Sequence, residues 1–373
     1  MHEGKLYVLA RGRVRGAGGV SAEVADRAGT IFVVDPNVSE PATEKKISQA
    51  VRNNATVLVE PTEPPFKLWD RTSNPPSKDR NTDRPYCVLR FHEPTQSFYI
   101  CAFSGIDKPR RPGQSSFSKN LTDGLLRYDL RTKQWYEVER HNIEAGGSYP
   151  HHDPKYNAPP HGWLNGPDNC LALGDWLYAV SKDNSLLVRY DLRKLKRDPA
   201  AGAPDSEVVL NANVSVEGKG RQRFEGHSAL AYHDGWLYIG TRTSSVIFRI
   251  RLNEQFLPVQ PIAAQVIARF APYDPKTGKT ADITDMSFDD RGRLYVINAE
   301  PARVYRFTPD PGNVFDARLD RERPWFELEQ VLGYPVKGEN VLVYKSHLYI
   351  TTGDGYGYQK GADGAVYRVT VSD

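Results

Sequence analysis

The chain has 373 residues, 39% of them hydrophobic and 25% charged, with a net charge of +3. A balance this close to neutral excludes a broadly basic nucleic-acid binder, and with no run of about eighteen apolar residues no helical membrane span is expected. The three cysteines, Cys87, Cys101 and Cys170, lie at no metal-binding spacing, and an odd number cannot complete a disulfide framework.

Met1 is followed at once by the strand-like "KLYVLA". No signal-peptide series is present, which predicts a cytoplasmic protein, or a periplasmic or secreted one if a leader precedes this sequence. Next comes "TIFVVDP", then a surface helix in "PATEKKISQAVRNN", then the strand "ATVLVEP". From residue 86 a four-part unit recurs. Its first element is a nearly continuous apolar run: "CVLRF", "NCLAL", "SALAY", "DMSF" and "NVLVY". Its second places a large apolar residue before tyrosine, at Tyr99, Tyr178, Tyr238, Tyr295 and Tyr349, as Tyr7 already does near the start. Its third carries arginine at Arg127, Arg189, Arg249, Arg306 and Arg368, with Val33 at that place in the first copy. A more polar fourth element closes the first five copies: "ATVLVEP", "WYEVER", "EVVLNA", "AQVIARF" and "FELEQVL".

Four short antiparallel strands repeated in this way predict an all-β fold, a β-propeller of six blades. It is expected to form one domain over 1–373, with blades near 1–61, 86–140, 168–212, 226–270, 283–332 and 339–373. The first copy lacks an inner strand A and the sixth lacks an outer strand D. Long B–C loops in copies six, one and two place Arg11, Arg13, Arg15, Arg110, Arg111, Tyr356 and Tyr358 on the ligand face. Their positive bias suits a small anionic molecule or an acidic sugar. Solvated charged loops are the alternative.

The openings of the A strands point to the channel mouth. Aligning the A strands brings Asn169, Ser228, Thr284 and Asn340 to equivalent places, with Asp168, His227, Ile283 and Glu339 just before and Asp285 just after Thr284. Oxygen donors of this kind suit a divalent cation, foremost Ca²⁺. Six blades with an "N-x-L-A" strand opening resemble the gluconolactonase / strictosidine-synthase-like propellers, a group of lactonases and organophosphate hydrolases with a channel cation. Asn169 in "GPDNCLAL" resembles one of that family's asparagines, and Asp285 in "ITDMSFDDRGRLYV" its aspartate. The family's glutamate has no counterpart, because the first A strand is missing. The resemblance implies Asn169 and Asp285 as cation ligands, with Asp285 also catalytic. Asn340 does not match the family's order, and Glu339 and Asn340 join the expected cation set from the polar ring. "LYITTGDG" resembles a segment of quinoprotein sugar dehydrogenases, but their "N-H-x-G" histidine is absent.

Three functions follow as expectations. The first is a metal-assisted, lactonase-like hydrolase of a small anionic substrate. The second is a non-catalytic ligand- or protein-binding propeller. The third is a lyase for acidic saccharides with His161 or His227 as base. His151 and His152, being adjacent, point apart and are weaker candidates.

Overall fold

Alternating apolar and β-branched residues drive the chain into strands, and short turns pair each strand with the next. The structure, a computed structural model, describes residues 3–9, 31–37, 55–59, 86–102, 122–142, 163–164, 166–182, 184–194, 206–271, 280–318, 323–333, 336–353 and 366–371. The strands form a β-propeller arrangement of antiparallel sheets. By its internal contacts the chain divides into two compact units, Met1–Pro36 with Ala55–Val208, and Asn37–Asn54 with Val209–Asp373.

In the first unit β1 (Leu6–Leu9), β2 (Ile31–Val34) and β3 (Ala55–Val59) make a three-stranded sheet. A second sheet runs β4 (Tyr86–His92), β5 (Ser97–Ala102), β6 (Thr122–Asp129) and β7 (Gln134–Asn142). A third runs β8 (Pro167–Leu173), β9 (Trp176–Ser181), β10 (Leu186–Asp191) and β11 (Ser206–Leu210). The core lies between successive sheets. Phe98 and Ile100 pack toward Ile31 on one side, while Tyr99 and Cys101 pack with Cys170 and Leu177 on the other. The two faces of β5 are therefore both buried, which explains its continuous apolar run. Burial of each such large side chain contributes about 1.5–3 kcal/mol.

In the second unit β12 (Asn213–Val216) and β13 (Gly220–Arg223) form a hairpin. It extends the sheet of β14 (His227–His233), β15 (Trp236–Thr241), β16 (Val246–Arg251) and β17 (Ala264–Arg269) through a parallel contact to β17. The next sheet holds β18 (Thr280–Phe288), β19 (Leu294–Glu300) and β20 (Arg303–Phe307). The short β21 (Phe315–Asp316) joins β17 instead, while β22 (Phe326–Glu327) closes the sheet on β20. The fourth element expected in "FELEQVL" is thus only two strand residues, followed by the helix α1 (Leu328–Leu332) that Gly333 caps in the left-handed conformation. Last come β23 (Lys337–Tyr344), β24 (His347–Gly353) and β25 (Val366–Thr370), three strands as expected for the sixth copy.

The repeat signature becomes a register rule. Tyr99 pairs with Arg127, Tyr178 with Arg189, Tyr238 with Arg249, Tyr295 with Arg306 and Tyr349 with Arg368 across their B and C strands. Tyr7 pairs with Val33. The guanidinium also covers an aromatic ring, Arg189 over Trp176 at 4.2 Å and Arg249 over Trp236 at 4.1 Å.

Candidate functional site

Every described inner strand carries a β-bulge at its opening. The shifts fall at Tyr86/Val88, Pro167/Asn169, His227/Ala229, Ile283/Asp285 and Gly338/Asn340. A bulge re-aims the side chains next to it. Counting from the tyrosine register, the equivalent residues after the bulge are Val88, Asn169, Ala229, Asp285 and Asn340. The expected level of Asn169, Ser228, Thr284 and Asn340 is therefore corrected at two positions, where Ala229 and Asp285 take the places of Ser228 and Thr284. Asp285 is the true counterpart of Asn169 and Asn340.

In the second unit these openings are joined sheet to sheet by side chains. Ser228 Oγ donates to Ile283 O at 2.5 Å. Thr284 Oγ1 donates to Gly338 O at 3.3 Å. Asp285 Oδ2 accepts from Val341 N at 3.1 Å, and Ser287 Oγ from Val343 N at 3.0 Å. Glycine is required at two approaches. A Cβ on Gly338 would lie 2.7 Å from Asn298 O, and one on Gly240 would lie 2.8 Å from Ile283 Cγ2.

Three of the four residues expected to hold a cation engage a side-chain oxygen with the protein, and the fourth, Asn340, engages its amide nitrogen. Asp285 serves Val341 N, Glu339 Oε1 pairs with Lys337 Nζ at 2.9 Å, and Asn340 donates through Nδ2 to Thr351 Oγ1 at 3.3 Å. Asn169, in the first unit, accepts from Arg90 Nη2 at 3.3 Å. Among the described residues no three of His, Cys, Asp and Glu gather as a metal group.

Instead the inner-strand openings are lined by compensated charge. Asp168 meets Lys182 at 3.5 Å, Glu225 meets Arg223 at 2.5 Å, and Asp282 Oδ2 meets Arg242 Nη2 at 2.7 Å. The last pair spans from the β14–β17 sheet to β18. Local geometry aims Arg242. Gly226, at φ 75°, accepts from Arg242 N at 2.6 Å, and any Cβ there would strike Thr243. Ser244 Oγ accepts from Glu225 N at 2.7 Å and fastens the same turn. Asp282 is almost wholly covered while the Arg242 side chain keeps 40% exposure, so the cation faces solvent over a buried carboxylate.

His227 has no exposed surface and sets its ring against Phe248 at 5.7 Å. His151, His152, His161, Arg11, Arg13, Arg15, Arg110, Arg111, Tyr356, Tyr358 and the helix expected in 41–54 lie outside the described residues. Sequence reasoning missed Arg242, Asp282 and Asn298. Their signal was present as departures from the repeat. Asp282 stands where two other copies have Gly166 and Gly226, and Asn298 where three others have Ser181, Thr241 and Thr352.

In the first unit the stretch before Asn169 is anchored by a buried carboxylate. Glu139 Oε1 accepts from Trp163 N at 2.8 Å and Leu164 N at 2.7 Å, and Oε2 from Tyr190 OH at 2.5 Å. Burial pushes the Glu139 carboxyl up to about 6, against the lowering effect of these three donors. Trp163 is tied further, through its carbonyl to Asn184 Nδ2 at 2.7 Å and its indole to Ser206 Oγ at 2.9 Å.

No protein-family profile matches the chain, and no curated protein matches it. Solved structures do. One is the PQQ-bound aldose sugar dehydrogenase of Streptomyces coelicolor, at 15% identity and TM-score 0.45, covering 92% of this chain and 88% of that one. Another is a 6-phosphogluconolactonase-like protein of Bacteroides uniformis, at 10% identity and TM-score 0.43, covering 99% and 84%. A nidogen/laminin complex gives 11% identity and TM-score 0.45, covering 88% and 83%.

Proposed function

We propose that the protein binds a small anionic, hydroxyl-bearing molecule, of the sugar-acid class, at the inner-strand openings of the second unit. One observation carries this reading. Arg242 is fixed by its own turn, paired with buried Asp282, and still partly open to solvent. A guanidinium held at one edge is pre-organised to receive a carboxylate or phosphate at little further entropic cost. Lys337, paired with Glu339 at the next opening, adds a second cation.

The ligand reading is tested by calorimetric titration with aldonic acids. The Arg242→Gln variant is expected to bind about tenfold more weakly, the loss of one charge-assisted hydrogen bond. Unchanged affinity in this variant counts against the assignment of Arg242.

Hydrolysis of the corresponding lactone is the second reading. It is favoured by the shared position of Asn169, Asp285 and Asn340 after the bulge, because Asn169 and Asp285 carry the resemblance to the lactonase-bearing propellers. Acid release from aldonolactones, followed by pH-stat, is the expected result. No release above the buffer blank removes the hydrolytic reading and leaves the binding one.

A further inference from the structure

One hairpin stands outside the four-strand unit. β12 and β13 come after the last strand of the third copy and before the first strand of the fourth. Their placement moves a sheet edge outward. β12 covers β17 at Ala264, and β21 covers it at Ala268 and Arg269. The strand at that end of the sheet is therefore β13, with no described strand beyond it.

The register fixes which backbone groups this edge presents. Phe224 N donates to Ala212 O at 2.7 Å, while Gln222 stands opposite Val214 and Gly220 opposite Val216. In an antiparallel ladder, hydrogen-bonded pairs alternate with non-bonded ones. Gly220, Gln222 and Phe224 thus bond inward to β12, and the N–H and C=O of Arg221 and Arg223 point away from it. The side chains alternate in the same step. Val214 and Val216 are buried, whereas Asn213, Ser215, Arg221 and Arg223 are exposed. Arg223 shares its charge with Glu225, Nε to Oε1 at 2.7 Å, yet its side chain keeps 65% exposure. The turn end is open as well, since a Cβ on Gly218 or Gly220 would meet nothing within 4 Å.

An unpaired strand edge is a template for another strand, and its side chains select which one. A second copy of β13 would set arginine against arginine, and like charges directly opposite destabilise a pair. A strand with glutamates at alternate positions sets a carboxylate beside each arginine and turns its own N–H and C=O toward theirs. We propose that the free edge of β13 docks an extended acidic segment of a partner protein by strand addition, with carboxylates opposite Arg221 and Arg223. Such docking is independent of the ligand bound at Arg242.

The test is fluorescence anisotropy of the full chain with three blocked, labelled peptides. One has Glu-Val-Glu-Val-Glu at its centre, and the second is its lysine counterpart. The third is the first with its glutamates N-methylated, which keeps the charge and removes the N–H donors. Wild type is expected to bind the acidic peptide at least about tenfold more tightly than either of the others, from cross-strand ion pairs added to backbone bonds. Arg221→Glu is expected to abolish the preference for acidic over basic peptide. Arg223→Pro removes an edge N–H that β12 does not use, and is expected to weaken acidic-peptide binding at least about tenfold. An unchanged melting temperature shows that each variant is folded. Equal binding of the acidic peptide and its N-methylated form overturns strand addition and leaves only a charged surface. A preference that survives Arg221→Glu, or no binding of any peptide, overturns the docking site. A dimer in sedimentation that Arg223→Pro dissolves, with no acidic peptide bound, also overturns it and makes a second copy the occupant.

Discussion

Arg249 Nη1 donates to the Tyr238 hydroxyl at 3.0 Å while its Nε donates to Gln265 Oε1 at 2.9 Å. One guanidinium thus links β15, β16 and β17, and its flat face lies on Trp236. The recurring tyrosine and arginine in the sequence are the two ends of this link. Arg189 repeats it, over Trp176 and toward Glu207 of β11.

Arg249→Lys is expected to destabilise by about 1–3 kcal/mol, because a lysine keeps the charge but not the fork or the stacking. Tyr238→Phe is expected to cost about 1 kcal/mol. Urea unfolding of the two singles and the double should show coupling, the sum of the singles exceeding the double. Additive effects would mean that the contact holds nothing together.

Glu139 gives a pH dependence with a definite sign. Its folded value, about 6, lies above the ordinary 4.5. The folded state therefore binds the proton more tightly. This contribution to stability is complete below about 4.5 and is lost as pH rises through about 6. Glu139→Gln keeps the acceptor for Trp163 N and Leu164 N and cannot titrate. Relative to that variant, wild type is expected to gain up to about 2 kcal/mol between pH 7 and pH 4.5, read from paired urea titrations. A flat difference across that range contradicts the assignment.

Gly338 tests how closely the inner strand β23 approaches β19 of the preceding sheet. A Cβ there would lie 2.7 Å from both Asn298 O and Ile297 Cδ1. Because the first of these is backbone, it cannot swing aside. Gly338→Ala is expected to cost about 1–3 kcal/mol, measurable as a lower urea midpoint. Gly218→Ala is the control for strain without crowding, since Gly218 has a positive φ and nothing within 4 Å of its Cβ.

Because Asp285 Oδ2, Glu339 Oε1 and Asn169 Oδ1 already have protein partners, melting is expected to be unchanged by EDTA and by millimolar Ca²⁺. A clear rise in melting temperature with Ca²⁺ would restore the cation reading.

The strands and their order were legible because each copy carries an internal ruler. Tyr178 and Arg189, or Tyr238 and Arg249, mark residues that face one another, and the structure pairs them so. The outer edges were less legible. "FELEQVL" has the composition of a strand, but only Phe326 and Glu327 pair with β20 before α1 begins. At the site the error had one cause. Ser228 and Thr284 are polar and near the right level, but the bulge and the longer turn at Asp289–Arg293 displace the count by one. Neither leaves a mark in residue type. Asp282 and Asn298 differ: both stand out from the repeat in the sequence, but that the departure leaves each Oδ1 without a hydrogen-bond partner is shown by packing alone.

The bonds from Asp285 to Val341 N and from Ser287 to Val343 N bear on how such a chain can change over time. Strand pairing within a sheet is written in the backbone and survives almost any substitution. The seam between these two sheets is written in side chains, at two places in one copy that match two amides in the next. Copies five and six are therefore a keyed pair. Duplicating, deleting or shuffling one without the other would leave amides with no acceptor, so the order of these two copies is itself inherited information.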